Sequence, residues 1–201
     1  SIDGELIIVD NASTDTTLAL ATEAIADRPW AKIVTESVPG YGSAYRKGLN
    51  TATGDILFMT DADLSYDFSE IPLFLERLSK NCDLAIGYRS HKKMEAGAMP
   101  WSHKWIGGPA INGLVRGLFW VNIKDVNCGS RAFRRECLSD LDLKANGMEF
   151  ASEMIVRAKK EGLKIKEFPI TYRKRKGGIS KLRTLRDGGR HVACLCKHLF
   201  T

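Results

Sequence analysis

The sequence predicts an α/β/α sandwich: a mostly parallel central sheet with helices on both faces. Three observations carry this expectation. Short apolar runs of strand type alternate with stretches of helical periodicity along most of the chain. The loops richest in turn-forming and acidic residues, 10–15 and 61–67, follow strand-like runs, where ligands of such sheets collect. The 201 residues are 44% apolar, enough to bury a core without disulfide or metal staples. There is no repeat, low-complexity segment or evident linker, so residues 1–201 read as one domain.

Residues 5–9 (ELIIV) form the first strand, apolar on both faces as a strand buried between helices should be. Asp10-Asn11-Ala12-Ser13-Thr14-Asp15 ends it, and Asp15 suits the cap of a helix over 16–26. A strand at 31–35 leads to Gly40-Tyr41-Gly42, which opens a helix through Asn50. Residues 55–60 (DILFMT) are the third strand; helix, strand and helix recur at 70–79, 84–88 and 104–119. Beyond Asn122, DVNCGSRAF (125–133) reads as an irregular loop feeding a short strand. Residues 148–160 form an amphipathic helix with Phe150, Met154, Ile155 and Ala158 on one side. Residues 164–172 alternate as a strand that Pro169 confines to a sheet edge. A basic loop at 173–181 precedes a last helix from Leu182.

Composition narrows the function. No apolar run reaches the ~18 residues of a membrane span, and SIDGELIIVD lacks the basic start and apolar core of a signal peptide. The five cysteines include no C-x-x-C, and the C-x-C of Cys194 and Cys196 has no second half, which argues for idle thiols in a reducing compartment over a zinc site. The net charge of +6 hides a division: residues 157–201 balance at +11 and the rest at −5. The basic end suits a phosphate, a polyanion or an anionic membrane, or is a solvated helix face.

The strongest single feature is Asp61-Ala62-Asp63, directly after DILFMT. Two carboxylates one residue apart at a strand end can hold Mg²⁺ or Mn²⁺, with a diphosphate completing the shell. The competing reading is a plain turn and helix cap using Asp67 and Ser69. Gly40 and Gly42 allow close backbone approach to a ligand, at a helix start whose amides favour anions.

Six blocks in order over nearly the whole chain resemble the family-2 glycosyltransferases of GT-A fold, and within them the dolichyl- and undecaprenyl-phosphate sugar transferases. The blocks are IIVDNASTD (7–15), GYGSAYRKGLNTATGDILFMTDADLSYDFSEIP (40–72), DLAIGYR (83–89), CGSRAF (128–133), GMEFASEM (147–154) and KIKEFPITYRKRKGGISKLR (164–183). The resemblance implies that Asp10 and Asn11, with Gly40, Gly42 and Asp61, meet the nucleotide sugar. It makes Asp61 and Asp63 the metal ligands, for Mg²⁺ or Mn²⁺, and Asp61, Asp63, Arg89 and Glu149 the catalytic set. Arg89, Arg131, Arg173 and Lys181 are assigned to the acceptor phosphate, which needs Arg or Lys around a dianion; for the last three a surface charge is the alternative. Glu149 and Glu153 occupy positions where relatives keep acids near the sugar, or are solvent-facing helix carboxylates.

Three departures stand out. The family's opening strand and helix, with a Pro-x-x-Asn-Glu signature, are missing ahead of Ser1, Ser130 replaces a bulky apolar residue, and the last helix stops at Thr201. The chain is therefore expected to be a fragment truncated at both ends, lacking its first strand and helix.

The expected activity is inverting transfer of a sugar from a nucleoside diphosphosugar, of GDP-mannose or UDP-glucose type, to a polyprenyl phosphate at the cytoplasmic face of a membrane. The phosphate nucleophile is already ionised, so no strong base is required. A hydroxyl acceptor in polysaccharide or glycan synthesis is the alternative, and it needs a carboxylate base such as Glu149 or Glu153. A nucleotidyltransferase would want a Gly-rich basic loop that is not present. A membrane- or nucleic-acid-binding module is the alternative of another class; aromatic platforms are sparse near the basic end, with only Tyr172 close, so no nucleic-acid partner is expected.

Overall fold

The computed structural model describes residues 3–177 and 184–200. The elements in order are β1 (Leu6–Asn11), α1 (Thr17–Ile25), β2 (Ala31–Glu36), α2 (Tyr41–Thr51), β3 (Ile56–Met59), α3 (Ile71–Ser79), β4 (Leu84–Met94), α4 (Gly108–Phe119), β5 (Arg131–Arg134), α5 (Cys137–Leu141), α6 (Phe150–Lys160), β6 (Ile165–Tyr172) and α7 (Thr184–Leu199). The short α5 went unread in the sequence. The helix expected over 104–119 begins as a π-helical turn, His103–Gly107, and becomes α4 at Gly108, where Pro109 has no amide to donate backwards.

The strands form a four-stranded sheet, β3-β5-β4-β6, and a parallel pair, β1-β2. In the larger sheet β6 pairs parallel with β4, while β5 is antiparallel to both β3 and β4. Three of its strands therefore run one way, as expected, and β5 runs against them. The reason lies in the loop that feeds β5. Its Asp125 holds Arg89, the last residue of the regular β4–β6 pairing, and its Gly129 lies against Asp61, just past the end of β3. A chain that enters a sheet from its carboxyl edge must run opposite to the strands already there. Pro169 sits in β6, the sheet's edge strand, where a missing amide costs little.

One face of this sheet is covered by α3, whose Phe74 meets Phe58 at 5.0 Å and Phe168 at 4.6 Å between ring centroids. Side chains alternate along a strand, so Leu57 and Met59, both buried, point to the opposite face. The stripe expected on α6 is buried, but so are Ala151, Ser152, Glu153 and Val156. An amphipathic helix became a nearly enclosed one because α7 packs against it.

The first strand departs from expectation. Leu6 is 42% exposed, the middle of β1 is only half-buried, and α1 buries none of its residues. Among the described strands β1 pairs with β2 alone and β3 with β5 alone. Each has one edge without a ladder, so the IIV run gains less cover than a central strand would. Ser130, which stands in place of a bulky apolar residue, is buried in β5's approach with its hydroxyl 2.9 Å from Thr60 Oγ1.

Candidate active site

The site is built at the carboxyl edge of the larger sheet. After β3 the chain turns through Asp61-Ala62-Asp63, and Leu64 takes a left-handed conformation at φ 61°. Asp63 Oδ1 accepts from the Ser65 amide at 3.0 Å and from its hydroxyl at 2.5 Å, which closes the turn. Asp61 points inward. Its Oδ1 accepts from Tyr45 Oη at 2.7 Å. Tyr45 in turn stacks on Phe150 at 5.8 Å and meets Tyr41 edge-on at 4.7 Å. Gly129 is pressed against the same carboxylate: a Cβ there would stand 2.8 Å from Asp61 Oδ2. The Gly129 amide donates to Tyr66 Oη at 2.8 Å. Burial pushes the Asp61 carboxyl above the usual range and the Asp63 charge adds to this, while the Tyr45 hydrogen bond and the charges of Arg89 and Arg175 oppose it.

Arg89 lies at this edge, but as half of a buried pair. Its Nε and Nη2 donate to Asp125 Oδ2 and Oδ1, each at 2.7 Å, and its guanidinium lies 5.2 Å from the centre of the Tyr172 ring. Burial raises the Asp125 carboxyl, and the charge and hydrogen bonds of Arg89 more than reverse this, so it stays below its ordinary value. Glu167 fixes the loop by accepting the Lys124 amide at 2.7 Å and the Asp125 amide at 3.1 Å. Arg175 pairs with Asp63 Oδ2 at 2.8 Å, and Arg173 pairs with Asp67. Asp61, Asp63 and Arg89 are thus brought together, with Tyr45, Tyr66, Gly129, Asp125 and Arg175 around them.

Several expected site residues are used elsewhere. The Arg131 guanidinium is wholly buried and donates to the carbonyls of Cys128, Ala151 and Val126, so it fastens the β5 approach to α6 and presents no charge to a phosphate. Asn11 donates to the carbonyls of Glu36 and Val38 and accepts the Gly40 amide at 2.7 Å, which ties β1 to the start of α2. Gly40 and Gly42 do permit close approach, but of the carbonyls of Asn146 and Ala145. The Gly42 and Ser43 amides both donate to the Asn146 carbonyl, so that helix start is already satisfied from within the chain. Glu153 accepts the amides of Lys144 and Ala145 and holds this same loop. Asp15 Oδ1 accepts the Thr17 amide at 3.0 Å from one residue ahead of the N-cap Thr16.

Glu149 and Asp10 remain available. Glu149 Oε1 accepts from the Gly147 amide at 3.1 Å and from Arg190 at 2.7 Å, while its Oε2 is buried with no hydrogen-bond partner. Asp10, 8% exposed, likewise keeps Oδ1 buried and unpartnered. Lys181 lies outside the described residues.

Sequence reasoning missed Tyr45, Asp125, Arg175 and Arg190. Tyr45 and Arg175 stand inside quoted motif blocks and Asp125 in the irregular loop read at 125–133, so an unassigned phenol, base or acid there was the available signal. Arg190 had none, because a helix face is chosen by packing.

Residues 3–142 match the family model described as Glycosyl transferase family 2. The chain belongs to that family. This family-2 chain is 38% identical over 194 residues to the low-salt glycan biosynthesis hexosyltransferase Agl6 of Haloferax volcanii, covering 95% of the chain and 45% of that protein. It is 34% identical over 185 residues to the polyprenol monophosphomannose synthase of Mycolicibacterium smegmatis (88% and 69% covered). It is 31% identical over 198 residues to the dolichol-phosphate mannosyltransferase of Pyrococcus furiosus (96% and 55%). The chain thus spans about half the length of two of these three relatives. Its fold is that of glucosyl-3-phosphoglycerate synthase from Mycobacterium tuberculosis, solved with Mn²⁺, UDP-glucose and phosphoglyceric acid: TM-score 0.66, 21% identity, 98% of this chain and 69% of that one. The family-2 chain therefore has the GT-A architecture that its motifs implied.

Proposed function

We propose that this chain carries the catalytic domain of a glycosyltransferase that moves a sugar from a nucleoside diphosphosugar to a polyprenyl phosphate, with inversion. The observation that carries the reading is the Asp61–Asp63 pair at the carboxyl edge of the sheet, ringed by Arg89, Arg173 and Arg175. Two hard carboxylate donors, with no third His, Cys, Asp or Glu joining them among the described residues, fit Mg²⁺ or Mn²⁺ held partly by a substrate diphosphate. When bound, such an ion supplies Lewis-acid stabilisation of the departing nucleoside diphosphate. Asp10, with its unpartnered oxygen, suits the nucleoside. Asn11, by tying β1 to the start of α2 at Gly40, fixes the end of the strand that carries Asp10.

A shallow groove is lined by Lys92, Lys93, Met94, Glu95, Thr171, Tyr172 and Arg173, from the ends of β4 and β6. Its lysines and Arg173 suit the acceptor phosphate, and two relatives are named for polyprenol or dolichol phosphate. No helix among the described residues is long and apolar enough to cross a membrane. Trp101, Trp105, Ile106 and Trp120, all more than half exposed, are suited to lie at a lipid interface on the cytoplasmic face. A hydroxyl acceptor would require a base, and Glu149 Oε2 is the carboxylate oxygen left for that role.

The test is calorimetry with GDP-mannose and UDP-glucose in the presence of Mn²⁺, followed by transfer of radiolabelled sugar to polyprenyl phosphate. Asp63→Ala abolishes metal-dependent donor binding. Unchanged metal-dependent affinity in that variant would refute the metal assignment. Label that moves only to a hydroxyl acceptor would refute the lipid phosphate.

A further inference from the structure

The head of α6 is held by α7. Arg190 of α7 donates through Nη2 to Glu149 Oε1 at 2.7 Å, and the Gly147 amide donates to the same oxygen at 3.1 Å. The next residue, His191, meets Ser152 across the same interface. The loop that leads into α6 is fixed as well: Glu153 accepts the Lys144 and Ala145 amides, and the Asn146 carbonyl accepts two amides from the start of α2. Phe150, directly after Glu149, stacks on Tyr45, whose hydroxyl donates to Asp61. Glu149 thus stands in a frame that adjoins the aspartate site. It is only 7% exposed, and its Oε2 is buried with no hydrogen-bond partner among the described residues. A Cβ on Gly147 would lie 2.6 Å from this oxygen and 2.6 Å from Arg190 Cζ, so the glycine keeps open the space beside both groups.

A buried carboxylate oxygen left bare is costly, which calls for a donor from outside the chain. Charge narrows the chemistry of that donor. A carboxylate repels a diphosphate or an acceptor phosphate and accepts from a hydroxyl, and the hydroxyl-rich part of the donor is its sugar. We propose that Arg190 is a positioning residue, which pins Oε1 of Glu149 and thereby turns Oε2 to a hydroxyl of the donor's sugar. This rests on the nucleoside diphosphosugar reading above. The guanidinium is a rigid, permanently charged anchor, and it holds the carboxylate from the solvent side: the Arg190 side chain is 40% exposed and that of Glu149 10%. Without it the carboxylate can rotate and satisfy Oε2 elsewhere, so the sugar loses a fixed acceptor. Although Arg190 belongs to the basic end of the chain, its charge is spent on sugar recognition through Glu149 and not on a phosphate.

The experiment is calorimetry in the presence of Mn²⁺ on the wild-type chain, Glu149→Ala, Glu149→Gln, Arg190→Gln and Arg190→Lys. Each is titrated with GDP-mannose and GDP, and with UDP-glucose and UDP. The readout is the ratio of the nucleoside diphosphate Kd to the sugar nucleotide Kd, which a general loss of stability does not move. Glu149→Ala lowers this ratio by about 10- to 100-fold, the range of a hydrogen bond to a charged group, and leaves the nucleoside diphosphate Kd unchanged. Glu149→Gln, which keeps the shape of the side chain, lowers it in the same direction and by less. Arg190→Gln lowers it by about two- to fivefold, the value of a partly exposed ion pair, and Arg190→Lys retains more of it. Adding Arg190→Gln to Glu149→Ala lowers it no further, because the arginine acts through the carboxylate. An unchanged ratio in both Glu149 variants overturns the sugar contact. A ratio lowered in Glu149→Ala but not in Arg190→Gln, or lowered again in the double variant, overturns the positioning role. Either result leaves the donor reading standing, since the wild type still binds. A wild type that binds neither sugar nucleotide overturns that reading and this proposal with it.

Discussion

Replacing Asp125 by alanine strands a buried charge. Arg89 gives Asp125 three hydrogen bonds, from Nε and Nη2 at 2.7 Å each and from its backbone amide at 3.1 Å, and the two side chains are 14% and 15% exposed. Removing one partner of such a pair costs about 3–5 kcal/mol, a large share of the about 5–15 kcal/mol that stabilises a typical domain. At about 2–4 °C per kcal/mol for a chain of this size, the melting midpoint falls by about 6–20 °C. Removing both charges, in Arg89→Met with Asp125→Ala, costs less than Asp125→Ala alone, because no uncompensated guanidinium remains. The pH dependence has a definite sign. The folded Asp125 carboxyl is held below its unfolded value, so the pair's contribution is present above the unfolded pKa and is lost as pH falls through the lower folded one. The gap between wild type and variant therefore persists at neutral pH and narrows only in strong acid. The assay is thermal unfolding followed by circular dichroism across that range. A loss below about 1 kcal/mol in Asp125→Ala, the value of an exposed pair, or a double variant no more stable than the single, would refute the account of Arg89 as a pinned, buried cation.

Two glycines separate site from scaffold. Gly129→Ala places a methyl against the Asp61 carboxylate that Tyr45 holds, so Mn²⁺-dependent nucleotide binding weakens at least tenfold by calorimetry while the melt moves little. Gly42→Ala meets the Ala145 carbonyl and the Phe150 side chain instead, so it lowers the melting midpoint, at a cost of about 1–3 kcal/mol typical of overpacking. His191, buried between α6 and α7 against Ser152, is held below its ordinary pKa by burial, against the raising effects of Glu149 and Asp187. A proton is then taken up by the unfolded chain first, so stability falls as pH drops from about 6.5. The acid slope of the melting midpoint is shallower in His191→Gln, and an unchanged slope would show that His191 does not set it.

The D-x-D loop, the order of strands and helices and the edge position of β6 were legible from the chain because each is set locally. A strand-like run, a turn signal or a proline acts within a few residues of itself. The family, too, was legible in six short blocks. What each charged side chain does was not. Arg131 and Arg89 both look like exposed cations in the sequence, yet one is spent on three buried carbonyls and the other on a carboxylate 36 residues away.

The same holds for Gly40 and Gly42. Their freedom to let backbone approach is visible in the sequence, but only the fold shows that the 145–146 loop approaches them. The reversed β5 and the enclosed α6 are of this kind as well, since each depends on where a distant loop or helix packs. Most of the elements, the carboxylate pair and the family follow from local patterns along the chain. The tertiary structure decided which charges are free, because hydrogen bonding and desolvation are properties of neighbours brought from elsewhere in the chain.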